Sequence, residues 1–399
     1  MNPNHIIEKP VKITRSQFLK DVFICSLAAY GGPEAHYGVF SDQLVNKKHY
    51  LTDDELIELV ALCSILPGPT STQTIVSIGY KTGGPLLALL TMIVWALPVL
   101  ILMTALSFLY GFLNHINFST SVLRFIGPMA VGFIVIAAKR IFSKVVTDGF
   151  TFSLAIASAA ITYFIRSPWI FPLVLIIGGV LSTALSGEKD LWNRISLSPP
   201  WRFLWAFIGF ALGGILLNQL FENRILELFE MFYRYGYLVF GGGQVVIPVM
   251  YSELVELHQS LSNGEFLTGY GLVQGLPGPM FSFSAYAGGM AARGGSTLTQ
   301  ILGAVVSGIG IFLPGLLLIY FVYPVWEQLK KLKGVKISLK GINAVAGGLI
   351  SVSALILMQK SGFTPINIIV TLITVMFLSS KKISAPFIVL MVLILGFII

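Results

Sequence analysis

The sequence predicts an all-α polytopic membrane protein made of two inverted-topology repeats, each containing broken or re-entrant half-helices. Three observations carry this reading. Of 399 residues, 55% are hydrophobic and 11% charged, where a soluble domain carries about 25% charged residues. Nine apolar segments run without breakers at or near spanning length. Four further apolar segments are interrupted by Gly and Pro, and they form two pairs that match each other.

The uninterrupted segments fall at 85–112, 120–142, 150–165, 169–185, 202–220, 297–322, 337–358, 364–378 and 383–398. The shortest of them lie below the usual length of about 20 for a spanning helix. The interrupted segments are 18–46 at "GGPEAHYG", 54–80 at "LPGPTSTQ", 225–257 at "FGGGQVVIP" and 264–292 at "LPGPMFSFS". Each fragment is expected to be too short to cross alone. "LTDDEL" places Thr52 as an N-cap with Glu55 three positions on, a capping box. Thr70 and Ser71 follow Pro69 as hydroxyl caps for the next half-helix.

Sliding the chain by 210 overlays 30–84 on 240–294 without a gap, and 14 of the 55 positions are identical. Gly31 and Gly32 fall on Gly241 and Gly242, Glu55 on Glu265, and Leu66-Pro67-Gly68-Pro69 on Leu276-Pro277-Gly278-Pro279. Downstream, Pro98 and Pro314 match with a shift of 216. The expected organisation is a first repeat over 1–185, a connecting loop and linker helix over 186–224, and a second repeat over 225–399.

Each repeat then holds an even number of crossings, whether its interrupted segments cross or re-enter. The odd linker span therefore inverts the second repeat. Inverted repeats with broken helices are a signature of secondary transporters. The total is nine spans plus four helical hairpins, or 13 spans if the interrupted segments cross. With a cytoplasmic N-terminus, both versions place Lys139/Arg140/Lys144 and the lysines of 330–340 inside. Hairpins also keep Lys47 and Lys48 inside and leave Glu253, Glu256 and Glu265 outside, which favours them.

Other classes find no support. Positions 1–17 are polar and basic, without the apolar region of a cleavable leader. Cys25 and Cys63 stand alone and no Cys/His spacing fits a metal, so neither metal nor cofactor is expected. The net charge of +8 reflects basic cytoplasmic loops rather than nucleic acid binding. No nucleophile motif, phosphate loop or zinc-protease motif occurs, so there are no catalytic residues to assign.

Broken helices at membrane depth are tolerated where they are buried in protein or line a wet cavity. Their N-terminal ends carry about half a positive charge and attract anions. Four such ends are expected, after Pro33, Pro69, Gly243 and Pro279. The candidate substrate-binding set is Gly31, Gly32, Pro67, Gly68, Pro69, Thr70, Ser71, Thr72 and Gln73 in the first half. In the second half it is Gly242, Gly243, Gln244, Pro277, Gly278, Pro279, Ser282 and Ser284. This is an uncharged, donor-rich cradle suited to an oxyanion. The alternative is close helix packing, with Ser and Thr as interhelical glue.

Glu34 and His36 need a separate reading, because a charge at the bilayer centre costs about 2.5–3.5 kcal/mol or more. Their repeat partners are Gln244 and Val246, so the pair occurs once. It is a candidate for proton coupling, or Glu34 caps a half-helix N-terminus. Lys81 and Arg293 read as interfacial snorkelling charges, with an anion funnel as the alternative.

These residues resemble the chromate ion transporter family. The match lies in "YGGPEAHYG", "LPGPTSTQ", "FGGGQVVIP" and "LPGPMFSFSAYAGG", with Tyr30 where the family usually has Phe. The resemblance covers almost the whole chain and its duplicated layout is that of the long-chain members. It implies a multi-pass carrier in the bacterial inner membrane that exports chromate and confers resistance, with sulfate as a chemical relative. A carrier for another anion, uptake instead of efflux, and an anion channel remain open, as do proton coupling and a homodimer.

Overall fold

The computed structural model describes residues 14–115, 120–165, 167, 169–188, 191–192, 198–240 and 243–398. Among these residues the chain is helical throughout, with no strand. Gly241 and Gly242 lie outside the described residues.

The first half opens with α1 (Arg15–Ala28) and α2 (Pro33–Phe40), which runs into a π-helical turn at Ser41–Lys47. Then come α3 (Asp53–Ile65) and α4 (Thr70–His115). Gly31 and Gly32 separate α1 from α2 at φ 84° and 95°, left-handed values that strain any residue with a Cβ. Pro33 then occupies a first-turn position, where a missing N–H costs nothing. Thr52 caps α3 in the expected box with Glu55. The α4 element has two arms, the expected half-helix and the expected span, parted at Gly83–Gly84 where φ turns to −155° and 75°. The second arm returns along the first: Trp95 donates to Thr72 at 3.1 Å, and Gly79 faces Ala88 and Thr91.

The remaining helices of this half are α5 (Ile126–Val145), α6 (Gly149–Phe164) and α7 (Ile170–Ala184). The segment expected to start at 120 begins as a 3-10 turn, Thr120–Leu123. α8 (Trp201–Leu220) joins the halves.

The second half follows the same order. α9 (Arg224–Leu238) precedes a 3-10 turn at Gly243–Val246, a short α10 (Ile247–Tyr251) and a π-helical turn at Ser252–Leu257. α11 (Asn263–Gln274) starts in a capping box of Ser262 and Glu265, the counterparts of Thr52 and Glu55 under the shift of 210. A 3-10 turn at Met280–Ser282 leads into α12 (Phe283–Ala291). α13 (Thr297–Val322), the single turn α14 (Trp326–Leu329), α15 (Lys333–Ser361), α16 (Pro365–Ser380) and α17 (Ala385–Ile398) complete the chain. The second-half breaks thus resume as 3-10 turns instead of α-helical ends. Where hydroxyls Thr70 and Ser71 follow Pro69, Met280 and Phe281 follow Pro279, and these cannot cap a helix. Only the ends at Pro33 and Thr70 are α-helical from their first residue.

Each interrupted segment doubles back. Lys48 lies 3.3 Å from Asp21, and Tyr50 donates to the same carboxylate at 2.5 Å. So 15–50 ends beside its own start. Lys81 pairs with Glu55, closing 53–82 in the same way. In the second half Arg224 donates to Ser260 at 2.6 Å and to the Ala291 carbonyl at 3.2 Å. Arg293 pairs with Glu265 at 2.7 Å. These ties make four helical hairpins.

Two backbone bonds lock the hairpins across the halves. Gly68 N–H donates to the Val239 carbonyl at 2.8 Å, and Gly278 N–H donates to the Ala29 carbonyl at 2.8 Å. The two donors correspond under the shift of 210, and so do the two acceptors. Each Pro-Gly-Pro turn therefore satisfies the chain break of the opposite half.

The outer helices interleave as well. α5 packs on α16, while α15 packs on α6 and α7. Close approach needs Gly132 against Thr371 and Thr374, and Gly348 against Ala155 and Ser158. A Cβ at either glycine would overlap the facing helix. These two contacts repeat with a shift of 216.

Among the described residues, α4, α5, α8, the run 297–329 and α15 are five helices long and apolar enough to cross a membrane. α6, α7, α16 and α17 have 16, 15, 16 and 14 residues, shorter than a full crossing.

Charges inside the fold are paired. Arg234 is buried and bonds Glu230 at 2.8 Å and Glu253 at 2.7 Å, with its guanidinium over Trp169 at 5.3 Å. At a helix end, Lys340 donates to Asp148 and holds that exposed carboxyl down to about 2. Asp148 also caps α6.

Arg234→Ala strands the buried Glu253 and the part-buried Glu230 and is expected to cost about 3–5 kcal/mol. Gly278→Ala adds a Cβ at φ 97° beside Val99 and is expected to cost about 1–3 kcal/mol. Thermal unfolding in detergent checks both. Midpoints equal to the parent's would show that neither contact stabilises the fold.

Candidate functional site

A cavity of about 210 Å³ lies between the halves, at the first chain break. Gly31, Gly32, Pro33 and Glu34 form one wall, with Tyr37 a turn further along α2. Ser64 closes the end of α3, and Thr70 opens α4. Gln244 and Asn343 come from the second half. Arg140 and Lys144, one turn apart on α5, complete the lining with the apolar Val60, Ala137, Ile141 and Val145.

The geometry of α2 brings a helix N-terminus to this wall, with Glu34 in its first turn. No side chain caps its N-terminus at Gly32, so its first N–H groups and the helix dipole are left to the cavity. Thr70 brings the N-terminus of α4 to the same space. Buried oxygens of Gln244 and Asn343 have no hydrogen-bond partner in the protein. Rotating either amide would present its NH2 instead. Unsatisfied buried amides point to a polar guest.

The charged lining is three groups, all exposed to the cavity or its mouth: Glu34, Arg140 and Lys144. Among the described residues, none of them has an ion-pair partner. Charge counting along the sequence assigns Arg140 and Lys144 to a cytoplasmic end and gives them no part in the site. Their spacing of four on one helix is the signal that both share a face.

The other expected residues sit behind this cavity. His36 is 2% exposed; its Nδ1 lies 3.0 Å from Ser71 Oγ, and its ring meets Trp95 edge-on at 5.4 Å. Thr72 accepts from the Trp95 indole. Gln73 spends its amide N–H on the Pro67 carbonyl at 2.8 Å, bracing the turn that holds Gly68 and Pro69. Its Oε1 is buried and unpaired. Ser282 and Ser284 are buried with hydroxyls that have no partner. Gly278 faces Val99 and Ser26, between Pro277 and Pro279. Gly243 begins the 3-10 turn ahead of Gln244. Of the expected set, Gly31, Gly32, Glu34, Thr70 and Gln244 share the cavity, while the Pro-Gly-Pro turns support it. Lys81 and Arg293 are each held by a glutamate, so they are not free cations of a funnel.

In the second half, Ser353, Ile356 and Leu357, the counterparts of Ala137, Arg140 and Ile141 under the shift of 216, line with Tyr251 and Ser252 a space of only about 20 Å³. Lys360 pairs with Glu256 at 3.3 Å beside it. Among the described residues no cluster of His, Cys, Asp or Glu fits a metal ion.

Ser71→Ala removes the partner of a buried imidazole and is expected to destabilise by about 1–3 kcal/mol. Its anion affinity, measured on the folded fraction, should stay near the parent's. A large affinity loss at unchanged stability would move the site back to Ser71.

The pattern of the family described as "Chromate transporter" matches residues 16–183 and 226–397. A chromate transport protein of Cupriavidus metallidurans is 25% identical over 369 residues, 90% of this chain and 87% of the relative. A chromate transport protein of Pseudomonas aeruginosa is 28% identical over 84% of this chain and 78% of its own length. An uncharacterised transporter of Methanocaldococcus jannaschii is 24% identical over 76% and 74%. No solved structure matches the chain.

Proposed function

The chain belongs to the chromate transporter family, and on that premise we propose that it is a secondary carrier exporting chromate or a related tetrahedral oxyanion. The observation that carries this reading is the cavity at the first helix break. It joins two helix N-termini, two unpaired cations and two unsatisfied amides. Its volume of about 210 Å³ is room for a small oxyanion with a few waters of about 30 Å³ each.

The two halves are inverted repeats in this reading. Support comes from matched positions in the interlocking bonds, matched capping boxes and matched glycine contacts. The interrupted segments are re-entrant hairpins, because their ends are tied to their starts. Nine helices then cross, with the short α6, α7, α16 and α17 completed by flanking residues or local bilayer thinning.

Ends tied by Lys48, Lys81, Lys330 and Lys340 gather on one face, the cytoplasmic one by the positive-inside rule. Arg224, Arg293 and Lys360 mark the other face. Arg140 and Lys144 sit near the cytoplasmic end of α5, so the cavity opens inward. A cavity that opens at this face fits a carrier in its inward-facing state. Efflux of an anion from a cell with a negative interior gains about 2.3 kcal/mol per charge per 100 mV. The carrier therefore sits in the plasma membrane with its N-terminus inside. Glu34, and not the buried His36, is the group placed to couple protons.

Three measurements test this. Proteoliposomes should take up radiolabelled chromate saturably; absence of saturable flux for both chromate and sulfate rejects the carrier. Cysteines at 48 and 258 should react with impermeant reagents from opposite sides, 48 from inside; the reverse result replaces hairpins by full crossings. Glu34→Gln should abolish the pH dependence of flux; an unchanged profile removes Glu34 from coupling.

A further inference from the structure

We infer that Arg140 and Lys144 set the charge of the anion, making the site selective for dianions over monoanions of the same shape. The inference rests on the cavity being the transport site. Two cations share the lining with Glu34. The N-termini of α2 and α4 each add about half a positive charge. With Glu34 ionised the lining sums to about two positive charges, which a dianion neutralises. A monoanion leaves about one charge uncompensated in a space of reduced dielectric, where that imbalance counts for more than in water.

The arrangement is confined to one side. Under the shift of 216, Arg140 corresponds to Ile356, which is buried. Lys144 corresponds to Lys360, which is already paired with Glu256. Charge selection therefore acts only where the cavity is open, on the face that presents Arg140 and Lys144. A generic role for these residues as cations at a helix C-terminus would treat the neighbouring Lys139 alike, yet Lys139 does not line the cavity.

Binding of sulfate and perchlorate separates the two roles, since both are tetrahedral and differ in charge. Full-length protein in detergent would be titrated calorimetrically with each, and with chromate in alkaline buffer. Arg140→Gln and Lys144→Gln should each weaken sulfate and chromate about tenfold or more, equivalent to about 1.4 kcal/mol, and perchlorate by much less. Arg140→Lys should restore dianion binding, and Lys139→Gln should change neither anion. Equal losses for dianion and monoanion, or no loss in either glutamine variant, overturn the inference while wild-type chromate flux leaves the carrier standing. A wild type that binds none of the three anions overturns both. Both side chains are exposed, so neither variant removes packing; should Arg140→Gln fail to fold, Lys144→Gln decides alone.

Discussion

The architecture depends on two hydrogen bonds between chain breaks. A broken helix in hydrocarbon exposes peptide groups that water cannot reach, and each orphan costs several kcal/mol. Here the carbonyl of Ala29 is taken up by Gly278 and that of Val239 by Gly68. Neither half supplies its own partner. The breaks exist because each half lends the other a turn that favours glycine, at φ 132° and 97°. Everything at the cavity follows from this, since the same breaks free the N-terminus of α2 and aim α4 beside it.

Around that interlock the polar groups divide into braces and lining. Gln73, Ser71, Thr72 and Trp95 hold the turn and its approach through hydrogen bonds already made. Groups already held in such contacts are less free to receive a guest. Glu34, Arg140 and Lys144, with the orphan oxygens of Gln244 and Asn343, remain uncommitted. Buried charge elsewhere is closed off, as at Arg234 between two glutamates.

Much of the helix order is legible in the sequence. Apolar runs mark α8 and α13 almost to the residue, and the capping pattern at Thr52 and Glu55 marks α3. The glycine pair at 83–84 marks where α4 turns back on itself. The halves' correspondence shows in the paired "LPGP" turns. Two things do not show. The same turn opens an α-helix at Thr70 and a 3-10 turn at Met280, a difference set by the residues after the motif and not by the motif. The charged wall of the cavity is also hidden, because Arg140 and Lys144 lie far from Glu34 along the chain, and only packing brings α5 across the break. Symmetry in sequence, moreover, hides a difference in lining: Arg140 faces a cavity, while its counterpart Ile356 is buried.

The interleaving of α5 with α16, and of α15 with α6 and α7, makes each half incomplete by itself. A polypeptide equal to one half would leave Gly68 without its acceptor and one face of α5 without its cover. It could satisfy both only against a second polypeptide that carries the matching carbonyl and the matching helix face. The linker α8, almost none of which is buried, takes no part in either interlocking bond.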